Sequence, residues 1–305
     1  LPFLAAIVAQ AEGAHQAAAE VSQQTVDIIG HVSNGEHPLL ELPLILGINF
    51  SITKHVFMLW LVAAIIFVAV AAIVRRSIAR RQLVPAGAAN PLEAVVEFIR
   101  DTVVEPNVGA KRVNGWTPLL LTFFIFILGA NAIGLIPIFD FLALLDHWFI
   151  HSGEHSFLQR LIHGSATATG NFNVTAGLAT ITFIAIIVAG TRKHGFIQHW
   201  KNLVPPGMAW PLYILLIPLE IIGMLVRPFA LTMRLAANMT GGHIALLAIM
   251  SFVFVFTAML GQLGGISVGL LFSVPLGVGI SALEIIVVLV QAYVFTLLSA
   301  VFIGM

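Results

Sequence analysis

The stretch RPFALTMRLAANMTGGH, residues 227–243, decides how this chain is read. Arg227 and Arg234 interrupt a run that otherwise has the composition of a membrane helix. From Leu203 to the C-terminus the only other fixed charges are Glu220 and Glu284, joined by one histidine, His243. Two apolar stretches carry them, at about residues 208–260 and 266–304. At about 1.5 Å of rise per residue, each is too long for one perpendicular crossing of about 30 Å. Both have to tilt strongly, bend, or lie partly along the membrane.

The rest of the 305-residue chain agrees. It is 59% hydrophobic and 9% charged, where a soluble domain carries about 25% charged residues. Such a chain cannot cover a water-facing surface, so the sequence predicts an all-α integral membrane protein. The formal net charge of 0 argues against a nucleic-acid partner. The absence of cysteine removes disulfides and thiolate metal sites. No Gly-rich phosphate loop is present, so nucleotide chemistry is not expected on this chain. No cofactor and no metal is expected either.

Working upstream, three shorter spans precede the long pair, at about 55–74, 118–138 and 173–189. The segments between them alternate in charge. Residues 1–50 are acidic and form an extramembrane region, ahead of a single membrane domain at 51–305. RRSIARR at 75–81 is strongly basic, the 139–170 loop has three acids and four histidines against Arg160, and Arg192, Lys193 and Lys201 follow the third span. Positive-inside reading puts the N-terminus and the 139–170 loop outside, and 75–117, 191–205 and the C-terminus inside. Asn90-Pro91 opens an amphipathic helix, with Asn as cap and Pro at the first position. Leu92, Val95, Val96, Ile99 and Val103 form its apolar stripe, opposite Glu93, Glu97, Arg100 and Asp101. LPFLAAIVAQA at 1–11 resembles either the end of a signal sequence, cleaved after Ala9-Gln10-Ala11, or a plain N-terminal apolar segment.

A charge inside the membrane costs about 2.5–3.5 kcal/mol on insertion scales, which makes such residues functional candidates. Glu220, Arg227 and Arg234 are seven residues apart and share one helix stripe, which Asn238 extends. Gly277, Ser281, Glu284, Val288 and Gln291 fall on one face of the last helix, where small residues admit a neighbour. His243 lies roughly opposite Arg234 on its helix and is a group that exchanges protons near neutral pH. Arginine stays charged, so it attracts a carboxylate yet relays no proton. Placed between two proton-accessible paths, it would force a passing carboxylic acid to ionise.

At these residues the chain resembles subunit a of the F-type rotary ATP synthases. That family carries an essential arginine in an R-L-x-x-N-M sequence, here Arg234-Leu235-Ala236-Ala237-Asn238-Met239. Glu220, Arg227-Pro228 and Arg234 follow its order of acid, basic-Pro and arginine, and Gln291-Ala292-Tyr293 matches its last-helix glutamine. TKHVFMLW from Thr53, ANAIGLIP at 130–137 and NVT at 173–175 resemble its earlier spans, so the resemblance runs from about residue 38 to the end. It implies one spanning helix, a surface helix, a transmembrane hairpin and two long tilted helices curved around a rotating ring of c subunits.

The resemblance also implies roles. Arg234 would face the carboxylates of the c-ring as an electrostatic gate. Asn131, Asn238, His243, Glu284 and Gln291 would line the outer half-channel, and Glu220 the inner one. Ser281 and Arg227 are secondary, with Arg227 balancing Glu220 or reaching a lipid headgroup. Many bacterial members have Glu at the position of His243 and His at that of Glu284, so these two are expected to be neighbours forming one proton site. Asp140 is the nearest acid to the place where some members carry one in the outer path. Partners would be the c-ring, the peripheral-stalk b subunits, membrane lipid and the translocated proton. The acidic N-terminal region points to a bacterial plasma membrane.

Other signals are weaker. His151-x-x-Glu154-His155 has zinc-protease spacing, but it sits in a polar loop where Ser152-Gly153 disfavours a helix. Gly265-Ile266-Ser267-Val268-Gly269 fits G-x-S-x-G without the strand-turn-helix context, and reads as a turn with small-residue packing. Two other functions remain open at this point. One is a self-contained secondary transporter built on the same four charges; the other is a structural subunit with inert ion pairs.

Overall fold

The computed structural model describes residues 54–80, 87–135, 168–195 and 210–305. The N-terminal region, the acidic loop with Asp140 and the His151–His155 motif, and the end of the basic segment after the third span lie outside them. Among the described residues every regular element is helical. Helix α1 is Lys54–Ala79, α2 Ala89–Glu97, α3 Glu105–Val108, α4 Val113–Leu135, α5 Phe172–His194, α6 Trp210–Val268 and α7 Val274–Gly304. Among the described residues five segments are long and apolar enough to cross a membrane: His55–Ala79, Val113–Leu135, Phe172–Lys193, Ile214–Thr257 and Met259–Gly304. The chain is a multi-pass membrane protein.

The helix starts differ from the sequence expectation in two places. Helix α4 begins at Val113, ahead of Pro118, and holds that proline inside. A proline near a helix start removes one backbone bond at most, and Thr122 donates to the Pro118 carbonyl at 2.7 Å. Helix α2 begins at Ala89, so Ala88 rather than Asn90 takes the cap position and supplies no side-chain bond. Asn171, by contrast, caps α5 by accepting the Asn173 N–H at 2.8 Å.

The surface helix also carries a π turn, Phe98–Val104, between α2 and α3. It has a packing reason. In an unbroken α-helix residues 99 and 104 would stand about 140° apart at about 100° per residue. The wider turn narrows that angle, so Ile99, Val103, Val104 and Val108 are all buried. Glu93, Glu97, Arg100 and Asp101 are exposed as expected. Arg100 donates to Asp101 at 2.7 Å, and that carboxylate holds its pKa above the ordinary value.

The chain divides into two compact units. The larger comprises His55–Gly134, Thr167–Ala237 and Val288–Met305. Its core joins Ile99 and Val103 to Leu120, Phe123 and Ile127 of α4, Ala179 and Ala185 of α5, Leu231 and Leu235 of α6, and Phe295 and Ile303 of α7. Phe123 meets Phe295 edge-on, with ring centroids 5.6 Å apart. At the end of α7 a Cβ on Gly304 would overlap the Asn107 carbonyl, so the helix end abuts α3 backbone to backbone.

The described part of the smaller unit is essentially Asn238–Val287. Its chain reverses at Gly261, where φ is 75° and ψ 178°. A positive φ with that ψ is accessible to glycine and strained for other residues. After it, Gly265 packs on Thr257 and Gly269 on Val253, and a second π turn, Gly269–Ser273, leads into α7. The break falls between the two long helices predicted from the sequence, and the small residues after it do the packing expected of them.

Candidate functional site

Each intramembrane charge can now be placed on its helix. On α6, Leu231, Leu235 and Met239 are buried and hold one side of the helix to the protein. The opposite side exposes Ala230, Arg234, Ala237, Asn238 and Gly241, which recur at helical spacing. Arg234 thus stands on an outward face whose neighbours are small. Among the described residues no carboxylate lies within 4.0 Å of its guanidinium.

The two membrane acids are engaged elsewhere. Glu220 Oε1 lies 3.8 Å from Arg227 Nη2. The Arg227 guanidinium also sits 5.4 Å from the centroid of the Phe302 ring, so it bridges α6 and α7 through charge on one side and an aromatic face on the other. Of the two partners expected for Arg227, Glu220 or a lipid headgroup, Glu220 lies within ion-pair distance.

Glu284 is paired with histidine. Its Oε1 lies 3.7 Å from His243 Nδ1, and the carboxylate is 7% exposed. That distance suits an ion pair and is too long for a hydrogen bond. Oε1 is buried and, among the described residues, accepts no hydrogen bond. Gly242 makes the approach possible, because a Cβ there would stand 2.7 Å from the same oxygen. One turn from both residues, Leu246 and Ser281 line a cleft of about 430 Å³ with Met250 and Gly277. A half-buried imidazole beside a carboxylate with a spare acceptor can hold one proton in either of two places.

The remaining candidates lie on the expected face or in the core. Gly277, Glu284, Val288 and Gln291 are buried and Ser281 is half-buried. Asn131 on α4 is 1% exposed and accepts from Thr169 Oγ1 at 2.5 Å. Sequence reading did not single out Thr169, nor the buried pair Thr182 and Ser299, whose hydroxyls are 3.3 Å apart between α5 and α7. The signal available was weak: Thr175 and Thr182 repeat seven residues apart in an apolar span.

A family model described as ATP synthase A chain matches residues 56–304. That interval holds every charge just described. The chain belongs to the ATP synthase A chain family. Among its relatives, "ATP synthase subunit a 2" of Prosthecochloris aestuarii is 38% identical over 301 residues, covering 97% of this chain and 82% of the relative. The protein of the same description from Chlorobium luteolum is 37% identical, covering 100% of this chain and 85% of its own. "ATP synthase subunit a" of Chloroherpeton thalassium is 37% identical over 92% of this chain and 77% of its own. Among the described residues the two long helices hold one arginine paired with an acid, one arginine with no carboxylate within 4.0 Å, and one acid–imidazole couple.

Proposed function

We propose that the chain is the proton-translocating stator subunit of an F-type ATP synthase, with two offset half-channels meeting at Arg234. The observation that supports this reading is Arg234, exposed beside Ala230, Ala237 and Gly241 and with no carboxylate within 4.0 Å among the described residues. A guanidinium in the membrane needs an acid, and Glu220 and Glu284 are both taken. A partner's carboxylate fills that role, and a ring of c subunits presents one after another as it turns. Ala230, Ala237 and Gly241 let such a ring approach closely. The peripheral-stalk b subunits then keep the chain from turning with it.

In this mechanism a ring carboxylic acid arrives protonated and ionises as it meets Arg234. Its proton leaves by one half-channel, and the carboxylate regains one from the other after passing. His243 and Glu284, with Asn131, Asn238, Ser281 and Gln291, serve the outer half-channel. Glu220 serves the inner one, and Arg227 balances it.

The test is ATP-driven proton pumping in membrane vesicles carrying the assembled complex. His243→Ala or Glu284→Gln is expected to lower pumping about ten-fold or more, since a positioned acid–base group contributes on that scale. The double exchange His243→Glu with Glu284→His is expected to restore most of it, because the couple keeps one acid and one imidazole. Pumping unchanged in both single variants would remove the couple from the path. The chain reconstituted without a ring should carry no transport; activity there would favour a self-contained transporter.

Gly242 gives a second check. Gly242→Val is expected to cut pumping several-fold in an assembled complex, because the added carbons displace the Glu284 carboxylate. Gly223 on the same helix has open space where its Cβ would be, and Gly223→Val should be far milder.

A further inference from the structure

The basic segment after α1 does more than set orientation. Arg76, Ser77 and Arg80 lie on one side of the last turns of α1, together with Ile73. They form one wall of a cleft of about 170 Å³, and Gly87, Ala88 and Ala89 form the other. Arg76 and Arg80 are one turn apart and carry like charges, an unfavourable spacing unless an anion joins them. Among the described residues neither guanidinium has a carboxylate within 4.0 Å. Helix α2 starts at the opposite wall, and it has no side-chain cap and no acid in its first turn.

Location limits what the anion can be. The cleft sits where an apolar span meets its basic flank, which is the level of lipid headgroups. Elsewhere around its circumference α1 exposes Phe67, Val68, Val74 and Ile78, apolar surface that acyl chains can cover. Two forked guanidinium groups and a hydroxyl match the oxygens of a phosphodiester. We propose that Arg76, Ser77 and Arg80 bind the phosphate of an anionic phospholipid headgroup in this cleft. The site is independent of the proton path.

Arg75 provides the control, because it is adjacent in sequence and exposed but does not line the cleft. The complex would be purified from membranes, equilibrated with mixed phosphatidylglycerol and phosphatidylcholine, and the retained lipid counted by native mass spectrometry. The wild type is expected to keep phosphatidylglycerol in preference, saturating near one lipid at this site. Arg76→Gln with Arg80→Gln should lower that retention roughly ten-fold or more, given about 1 kcal/mol per basic residue at a charged surface. Arg75→Gln should leave it nearly unchanged, and the double lysine variant, keeping charge without the fork, should fall between.

An equal loss with Arg75→Gln would mean diffuse surface charge and overturn the site. So would equal retention of both lipids by the wild type, a result that needs no variant to fold. Inorganic phosphate that displaces the lipid at equal concentration would also overturn the assignment, by making the ligand a free anion.

Discussion

ATP-driven proton pumping is expected to fall to background in vesicles carrying Arg234→Ala, with the complex still assembled. Alanine keeps the helix and removes the exposed charge beside Ala230, Ala237 and Gly241. On the proposed mechanism, a ring carboxylic acid would then have no reason to ionise in the membrane, where the bare carboxylate is strongly disfavoured. Passive leak decides between two roles. A raised leak would show that the arginine also separates the half-channels, across which each proton gains about 2.3 kcal/mol per 100 mV. Normal pumping would leave Arg234 a structural charge and sink the gate. Stability should change little, because the side chain is exposed and has no carboxylate partner among the described residues.

The second large effect is on assembly. Gly265→Val is expected to remove the chain from the membrane fraction almost entirely. A Cβ at Gly265 would stand 2.8 Å from the Thr257 Cα and overlap its side chain. Because part of the clash is with backbone, trimming Thr257 to alanine should not rescue the variant. Overpacking that side chains can absorb costs about 1–3 kcal/mol, and one that moves a backbone costs more. Immunoblots of membranes give the amount of chain, with Gly115→Val as comparison, since a Cβ at Gly115 meets nothing within 4 Å. Normal accumulation of Gly265→Val would mean that the reversal at Gly261 is not as described.

Much of this was legible in the sequence, and the limits have physical causes. Apolar runs about as long as a bilayer is thick announced three spans, and two longer runs announced the last pair, because no soluble fold would expose them. The surface helix showed its stripe through Ile99 and Val103, but Val104 and Val108 were missed. Their burial depends on a π turn, which a fixed period of 3.6 residues cannot reveal. That Glu220 and Arg227 share a helix stripe followed from their spacing. The Arg227–Phe302 contact did not, since any of several aromatic residues in the last helix could have met it. The meeting of His243 with Glu284 was expected only through the resemblance, because nothing local ties the two positions. Thr182 and Ser299 look like ordinary members of apolar helices until the neighbour is in place.

The outward-facing Arg234 also bears on how the protein is made. Without the proposed partner, this segment would offer lipid a charge that no acid among the described residues compensates, at about 2.5–3.5 kcal/mol on insertion scales. A newly synthesised copy is therefore a poor solute for the bilayer, with its central helix inclined to shift until the arginine reaches the headgroups. Biogenesis would then favour inserting this chain beside subunits already waiting for it, and surveillance proteases would find the orphan by that same misplaced charge.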